Sequence, residues 1–341
     1  MTTESSQPVI SCRALYKIFG INADQVQIDD QGRIDPSYRD RRGVVTAVDN
    51  VSLDVSRGEL LVVMGLSGSG KSTLVRCLSR LVDATSGTIE IEGQDLRAMS
   101  EKDLIELRRN KMGMVFQNFA LLPHRTVLEN IAFPLQMRGI KRTDYVDRAK
   151  EMIKLVGLDG RENSFPRELS GGQQQRVGIA RSLAVEPDIW FLDEPFSALD
   201  PLIRKEMQDE FLRLQSLLKK TIVFITHDFD EALKLADRIA IMYHGNVEQV
   251  GTPEKIVLNP ATDYVKKFTS DVPREKVLTA GSVMDERQGQ EDLASKPVLV
   301  SDIVEAIAEY VLGQDLAVPV VNNQDQMIGV LHQEKLLKIL F

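Results

Sequence analysis

Cysteine is scarce in this chain of 341 residues, which contains only Cys12 and Cys77. Two thiols cannot build a disulfide framework, so the composition fits the reducing cytoplasm. Long apolar runs are also lacking, because a segment such as Leu60–Met64 is far shorter than the about 18 residues of a spanning helix. Residues 1–8 lack the basic segment and apolar run of a secretory signal. We therefore expect any membrane span to belong to another chain.

A surplus of basic residues is missing as well. The chain has 42 Lys plus Arg against 50 Asp plus Glu, which gives a net charge of −8. Binding to a phosphate backbone needs clustered Lys and Arg, so nucleic acid is not expected as the main partner. The apolar fraction of 43% is ordinary for a globular protein, and the length suggests about two domains.

Strand-like and helical segments alternate along much of the chain. Residues 47–55 and 59–65 resemble strands joined by a turn, and a glycine-rich turn then leads into a helix from Lys71 to Arg80. Residues 188–194 and 221–228 are compact apolar runs of the kind found in buried parallel strands. This order predicts βαβ units, and therefore an α/β fold with helices on both faces of a parallel sheet.

Three segments depart from this alternation. Residues 101–168 carry helical periodicity, which predicts a helical subdomain inserted into the sheet domain, and the polar residues 20–43 are expected to form a solvated loop or short helical insertion. After a polar stretch at 273–296 the order is strand, helix, strand, turn, strand, helix, with Asp302 and Glu305 spaced as a capping box. We divide the chain into a domain at 1–271 and a linker with a small module at 272–341.

A glycine-rich motif carries the first chemical signal. Residues 65–72 fit the pattern G-x-x-x-x-G-K-[ST] between a predicted strand and a predicted helix. Glycines let backbone N–H groups close around phosphate oxygens, Lys71 is expected to reach the β- and γ-phosphates of ATP, and Ser72 to hold Mg²⁺. The predicted nucleotide-binding residues are Ser67, Gly68, Ser69, Gly70, Lys71, Ser72 and Thr73.

Two carboxylates, Asp193 and Glu194, stand at the end of a buried apolar run. Ligands bind at the carboxyl ends of parallel strands, so Asp193 is expected to coordinate Mg²⁺ through water and Glu194 to act as the general base on the attacking water. A solvated turn is an equal alternative for such a pair alone. The presence of Lys71 and Ser72 favours the catalytic interpretation.

Residues 169–173, with the sequence LSGGQ, resemble the signature of the nucleotide-binding subunits of ABC transporters, a resemblance that covers roughly residues 9–271. The resemblance implies a homodimer around two ATP molecules, in which the signature of one subunit faces the γ-phosphate held by the other. The implied signature residues are Ser170, Gly171, Gly172 and Gln173.

The resemblance also implies roles for residues that follow other strands. Gln117 would link Mg²⁺ and the attacking water to the helical subdomain, Asp200 would bridge the subunits, and His227 would contact the γ-phosphate. An adenine-stacking aromatic belongs near the N-terminus, with Phe19 as the first candidate and Tyr16 as the second.

Several stretches are similar to one subfamily, which serves glycine betaine, proline betaine and choline. They include MGLSGSGKSTLVRCLSRL, FQNFALLPHRTVLEN and the insertion after Phe19. The implied protein is an ATPase subunit at the cytoplasmic face of a bacterial inner membrane. It would power import through separate permease subunits, while an extracytoplasmic binding protein captures the quaternary-ammonium osmolyte.

Alternatives to osmolyte import stay open. Import of methionine or another amino acid would use the same catalytic core. A soluble ABC ATPase outside transport, or a module that binds ATP without turnover, is less favoured, and Glu194 with His227 argues against the last. The tail at 277–341 resembles one CBS-type repeat, which would serve either as a regulatory sensor or as a ligand-free support for the dimer.

Overall fold

The computed structural model describes residues 7–20, 26, 29, 34, 43–117, 119–270, 272–286 and 292–340. Most of the insertion predicted at 20–43 lies outside these residues. The backbone contacts divide the chain into one compact unit at Met1–Glu248 and another at Gln249–Phe341. The domain boundary expected near residue 271 from the sequence stays a prediction.

The first unit alternates strands and helices. Its strands are β1 (Ile10–Gly20), β2 (Val44–Val55), β3 (Leu60–Met64), β4 (Ser86–Ile91), β5 (Gln94–Asp95), β6 (Met112–Val115), β7 (Ile189–Asp193), β8 (Thr221–Thr226) and β9 (Arg238–Tyr243), and the division between the units falls within β10 (Asn246–Gly251). Its helices are α1 (Lys71–Leu78), α2 (Glu101–Lys111), α3 (Val127–Met137), α4 (Arg142–Leu155), α5 (Gly171–Leu183), α6 (Pro201–Leu218) and α7 (Phe229–Leu235).

A six-stranded sheet in the order β10, β9, β3, β8, β7, β6 forms the centre of the first unit. The strands β9, β3, β8, β7 and β6 pair in parallel. Every residue of β3, β7 and β8 is buried, as expected for parallel strands that are covered on both faces. The α/β fold with a parallel sheet is therefore confirmed.

A separate sheet in the order β2, β1, β4, β5 is antiparallel. The strand predicted at residues 47–55 forms most of β2, but β2 belongs to this antiparallel sheet and not to the predicted parallel sheet. Buried and more exposed residues interchange along β2 and β4, because an antiparallel sheet can leave one face to solvent.

The helices α3, α4 and α5 lie between β6 and β7 in the sequence and pack against one another. A capping box of Thr126 and Glu129 begins α3. The fully buried Asn130 donates to the carbonyl oxygens of Leu122 and Arg125, at 3.1 and 3.0 Å, and so holds the preceding loop against α3. Of these helices, α3 and α4 lie within residues 101–168, where the sequence predicts helical periodicity, and α5 lies beyond them. The inserted helical subdomain stays a prediction.

The second unit contains a three-stranded sheet in the order β11, β12, β13. The strands are β11 (Val298–Leu299), β12 (Val318–Val321) and β13 (Met327–Leu331), and the helices are α8 (Pro253–Leu258), α9 (Asp263–Thr269), α10 (Ala280–Val283), α11 (Val304–Leu312) and α12 (Gln333–Leu340). Leu278, Val304 and Val318 belong to its buried core. The order from β11 to α12 agrees with the order predicted for the tail.

The capping box predicted for Asp302 and Glu305 is wrong. Ile303 is the N-cap residue of α11 and makes no side-chain cap. Asp302 instead accepts a hydrogen bond from the backbone N–H of Leu299 at 2.8 Å, which uses its carboxylate in the turn before the helix. Among the described residues, no helix has both the length and the hydropathy of a membrane span.

Candidate functional site

The turn between β3 and α1 can be built only with glycine at two positions. Gly65 and Gly70 have φ angles of +150° and +101°. A Cβ atom would lie 2.2 Å from the carbonyl oxygen of Met242 at the first position and 2.0 Å from that of Ala47 at the second. Gly70 is the N-cap of α1 and provides no side-chain cap, so the first N–H groups of the helix remain available to an anion.

Lys71 is buried inside this turn, with 5% of its surface exposed. Its Nζ donates to the carbonyl oxygens of Gly65 and Leu66, at 2.8 and 3.0 Å. Burial lowers the pKa of Lys71, whereas the charges of Glu194 and Asp193 oppose that shift. The predicted phosphate-binding lysine therefore lies within the glycine turn and in the field of the two predicted catalytic carboxylates.

The oxygen atoms of Ser72 and Asp193 converge beside Lys71. Ser72 Oγ donates to Asp193 Oδ1 at 2.7 Å, and Asp193 is buried at the end of β7. Arg76, one helical turn after Ser72, places Nη2 3.7 Å from Asp193 Oδ2. A hydroxyl and a carboxylate are the hard oxygen ligands that suit Mg²⁺, so the donor set fits the predicted metal.

Three loops meet at the carboxylate of Glu194. Gln117, after β6, donates through Nε2 to Glu194 Oε2 at 3.2 Å, and His227, after β8, places Nδ1 3.1 Å from the same oxygen. Glu194 has a φ of +45°, a strained conformation for a residue other than glycine. Ser197 Oγ donates to the backbone oxygen of Glu194 at 3.0 Å and helps to hold this conformation.

The predicted signature begins α5 and forms its own cap. Ser170 Oγ accepts from the Gln173 N–H at 3.3 Å, and Gln173 Oε1 accepts from the Ser170 N–H at 3.1 Å. Ser170 and Gly171 are exposed, whereas Gly172 is buried and a Cβ there would meet Ile203 at 2.6 Å. Within the described part of the chain, no hydrogen bond joins residues 170–173 to Lys71 or Glu194.

Asp200 is the N-cap of α6, where Oδ1 accepts from the Ile203 N–H at 3.1 Å. Ser67 and Gly68 lie exposed at the tip of the glycine turn, Ser69 is buried, and Thr73 is half-buried in the first turn of α1. The structure thus gathers the residues predicted after β3, β6, β7 and β8 at one edge of the sheet, and leaves the signature elsewhere.

The two aromatic candidates for adenine stacking differ in exposure. Tyr16 is fully buried and packs with Ile18 and Ile34, so its ring has no free face for a base. Phe19 is 42% exposed at the end of β1, and Lys17 Nζ lies 4.8 Å from its ring centroid. The structure removes Tyr16 as a candidate and keeps Phe19.

Three side chains near these groups received no role from the sequence: Arg76, Ser197 and Arg204. Arg76 could have been found from its position four residues after Ser72, which places both on one face of α1. Ser197 could have been found from its spacing of three residues from Glu194. Arg204 carries no comparable local signal, because its contact with Asp228 crosses 24 residues of sequence.

Comparison with known proteins gives concordant results. The family model described as ABC transporter matches residues 48–197. The chain is 63% identical over 336 residues to the trimethylamine N-oxide transport system ATP-binding protein TmoW of Pelagibacter ubique, covering 98% of each chain. It is 50% identical over 285 residues to the glycine betaine transport ATP-binding protein OpuAA of Bacillus subtilis, covering 83% of this chain and 68% of the relative.

A solved structure gives a similar result for the fold. It is described as a dimeric structure of a post-hydrolysis state of the ATP-binding cassette MJ0796 bound to ADP and Pi. The TM-score is 0.61 at 32% identity, and the match covers 71% of this chain and 98% of the other.

Proposed function

The chain belongs to the ATP-binding subunits of ABC transporters, and from this membership we propose how its site works and what it serves. It binds ATP and hydrolyses it, as members of this family do. The proposed task is to power the import of a small solute with a methylated, positively charged nitrogen.

Trimethylamine N-oxide is the first substrate that we propose. The relatives from Pelagibacter ubique and Ruegeria pomeroyi, both named for its transport, are 63% and 60% identical over 98% of this chain. Motifs in the sequence predict glycine betaine or choline instead, and relatives named for betaine transport reach 50% identity over less of the chain. All these solutes share a nitrogen with four substituents. The predicted chemical class therefore includes trimethylamine N-oxide as well as glycine betaine and choline.

The glycine turn and β7 are proposed to hold the nucleotide. The uncapped N-terminus of α1 and the ammonium group of Lys71 would bind the phosphates, and the exposed ring of Phe19 would stack on adenine. Ser72 and Asp193, with Gln117 nearby, would hold Mg²⁺, which supplies positive charge against the phosphate oxygens. The convergence of the Ser72 and Asp193 oxygens supports this assignment.

Glu194 is proposed as the general base. Its carboxylate would take a proton from water as the water oxygen attacks the γ-phosphorus and the bond to ADP breaks. Gln117 and His227 contact the same Oε2 atom, so they would orient this carboxylate, and His227 would also reach the γ-phosphate. The strained backbone at Glu194 supports the assignment, because strain of this kind clusters at active sites.

Hydrolysis is proposed to require two copies of the chain. The exposed N-terminus of α5 has the geometry of an anion site, yet within the described residues it is hydrogen-bonded only to its own turn. A second copy would bring Ser170 to Gln173 onto the γ-phosphate, with Asp200 at the contact between copies. The solved relative is a dimer, which supports this arrangement.

The helices α3 to α5 are proposed as the helical subdomain that meets the permease. A groove of about 310 Å³ is lined by Met112, Met114 and Phe133, with Arg181 beside them. An apolar groove of this kind suits a cytoplasmic helix of a membrane-spanning partner. The subunit would then work at the cytoplasmic face of the bacterial inner membrane, and an extracytoplasmic binding protein would capture the solute.

The second unit is proposed to carry a single CBS-like module from about residue 277. The order of β11, α11, β12, β13 and α12 supports this proposal. In a dimer two such modules would form a pair, which serves either regulation or dimer stability.

Uptake in source cells tests the proposed function. Cells would carry either the natural chain or its Glu194→Gln variant, and uptake of labelled trimethylamine N-oxide, glycine betaine, choline and methionine would be measured. Loss of trimethylamine N-oxide uptake alone is the expected result. Loss of only glycine betaine or choline uptake would make that solute the substrate in place of trimethylamine N-oxide. Unchanged uptake of all four solutes would overturn the import assignment.

A further inference from the structure

Arg204 connects two loops of the site. It lies in the first turn of α6, and its Nη2 atom donates to the carbonyl oxygen of Leu199 at 3.2 Å. Its Nη1 atom lies 3.5 Å from Asp228 Oδ2, in the loop after β8. One guanidinium group therefore contacts the residue before Asp200 and the residue after His227.

Asp228 holds the backbone that follows His227. Its Oδ1 atom caps α7 by accepting from the Glu231 N–H at 3.2 Å, and its own N–H donates to Thr226 Oγ1 at 3.0 Å. His227 lies between these anchored residues, with Nδ1 3.1 Å from Glu194 Oε2. A displacement of Asp228 would therefore move the ring that contacts Glu194.

The charges around Arg204 are unbalanced. A cavity of about 10 Å³ is lined by Glu194, Asp228 and Glu231 together with Arg204, which is the only Lys or Arg among its lining residues. Glu231 is buried, and burial raises its pKa, whereas hydrogen bonds with Thr226 and Gln208 and, to a smaller extent, the charge of Arg204 lower it. Arg204 thus pairs with Asp228 and lies in the same cavity lining as Glu231 and the proposed base.

The ion pair of Arg204 and Asp228 contributes little to stability by itself. The two side chains are 31% and 33% exposed, and partly exposed pairs of this kind usually add little to the free energy of unfolding. The planar fork of the guanidinium group, which contacts two loops at once, is instead well suited to positioning.

We propose that Arg204 is a positioning residue for ATP hydrolysis, which couples the loop of Asp200 to the loop of His227. A second copy that docks against Asp200 would fix the position of the neighbouring Leu199. Through its contacts with Leu199 and Asp228, Arg204 then fixes the loop of His227, whose ring contacts the Glu194 carboxylate. This inference rests on the proposed function, in which Asp200 meets the second copy and Glu194 is the base.

The test compares ATP hydrolysis by the natural chain with that of Arg204→Gln, Arg204→Lys, Asp228→Asn and the Arg204→Gln/Asp228→Asn double variant. Asn at 228 can still cap α7 but lacks the charge. For Arg204→Gln we expect kcat to fall by about 10- to 100-fold while KM for ATP stays within about twofold, because the phosphate-binding groups are untouched. The double variant should be no slower than the slower single variant, because both changes break one connection.

A matched control is available between the same two helices. Lys234 in α7 lies 2.6 Å from Asp209 in α6, so Asp209→Asn also removes an ion pair between α6 and α7. This variant should keep the kcat of the natural chain. Arg204→Lys keeps the charge but not the two-pronged fork, and should show a kcat below that of the natural chain even if Arg204→Gln does not fold.

Three results would overturn the inference. They are an unchanged kcat in Arg204→Lys and Arg204→Gln, additive losses of kcat in the double variant, or an equal loss of kcat in Asp209→Asn. Failure of the proposed function gives a different pattern, because Glu194→Gln would then hydrolyse ATP as fast as the natural chain whatever the Arg204 variants do.

Discussion

The helices α1 and α5 both begin at glycine-containing turns, yet their N-termini are completed in different ways. At α1 the cap is Gly70 in a left-handed conformation, with no side-chain hydrogen bond to the helix. At α5 the cap is Ser170, which exchanges hydrogen bonds with Gln173. The first end keeps its backbone donors for a ligand, whereas the second satisfies part of its own hydrogen-bonding needs before any ligand arrives.

The surroundings of the two helix ends differ even more. Beside α1 the chain supplies Lys71, Asp193 and Glu194, all within mutual electrostatic reach. Residues 170–173 at α5 carry no ionisable side chain and begin on the surface. Under the proposed function, the cation, the metal ligands and the base lie within one chain, whereas the exposed neutral helix end would act only on a phosphate held by a second copy. This difference supports the proposal that hydrolysis requires two copies.

The largest expected effect is at the α1 end. Lys71→Met removes the buried cation, and we expect the affinity of the single chain for ATP to fall by about 10- to 100-fold, because a charge-assisted contact with phosphate is lost. Calorimetric titration with ATP at neutral pH measures this change. Lys102→Met, at an exposed position of α2, is the control, and equal affinity in both variants would remove Lys71 from the phosphate site.

The next effect separates the α5 end from the α1 end. In a Glu194→Gln background, Ser170→Arg should leave the ATP affinity of the single chain within about twofold and weaken the ATP-dependent dimer by at least about 10-fold, since a bulky cation blocks the shared face. Sedimentation with and without ATP reports both states. A dimer that survives Ser170→Arg unchanged would place the signature outside the interface.

A pH series distinguishes the two ends by their ionisable groups. Burial lowers the pKa of Lys71 below 10.5, so as the pH rises towards 10.5 the free chain loses this proton earlier than an ordinary lysine would. Because the protonated form binds phosphate, ATP affinity should be maximal below the lowered pKa and fall above it. Titrations between pH 7 and 10 should show this fall in the natural chain and not in Lys71→Met. A parallel fall in both would assign it to another group.

The smallest effect concerns the cap of α5. Gln173→Ala removes the acceptor of the Ser170 N–H, which should lower the free energy of unfolding by about 0.5–1 kcal/mol, the usual value of a capping contact. Denaturant unfolding measures the loss. The single-chain affinity for ATP should not change, and a reduced affinity would show that the α5 end already contributes to the site within one chain.

Local motifs can be predicted from the sequence because their contacts join residues that are close together along the chain. The glycine turn predicted with Lys71 involves residues at most six positions apart. The prediction for Asp302 and Glu305 is wrong, although it uses the same kind of rule. The Asp302 carboxylate accepts from the Leu299 N–H, three residues before it, and spacing alone does not say which backbone N–H a carboxylate takes.

The burial of individual side chains is harder to predict from the sequence than the presence of a motif. Tyr16 and Phe19 are neighbouring aromatics on β1, and only the packing of Ile18 and Ile34 beside Tyr16 shows that Phe19 alone keeps an exposed ring. The antiparallel arrangement of β1, β2 and β4 was likewise missed. Pairing partners depend on which segments lie side by side, and single-strand patterns do not contain that information.

The sequence by itself determined the family, the glycine turn and the buried parallel strands, because each depends on residue types at short spacings. Only the tertiary structure decided that Gln117 and His227 meet Glu194, across separations of 77 and 33 residues, and that Arg204 connects two loops of the site. The physical reason is the parallel sheet, which brings the carboxyl ends of β6, β7 and β8 to one edge whatever the length of chain between them.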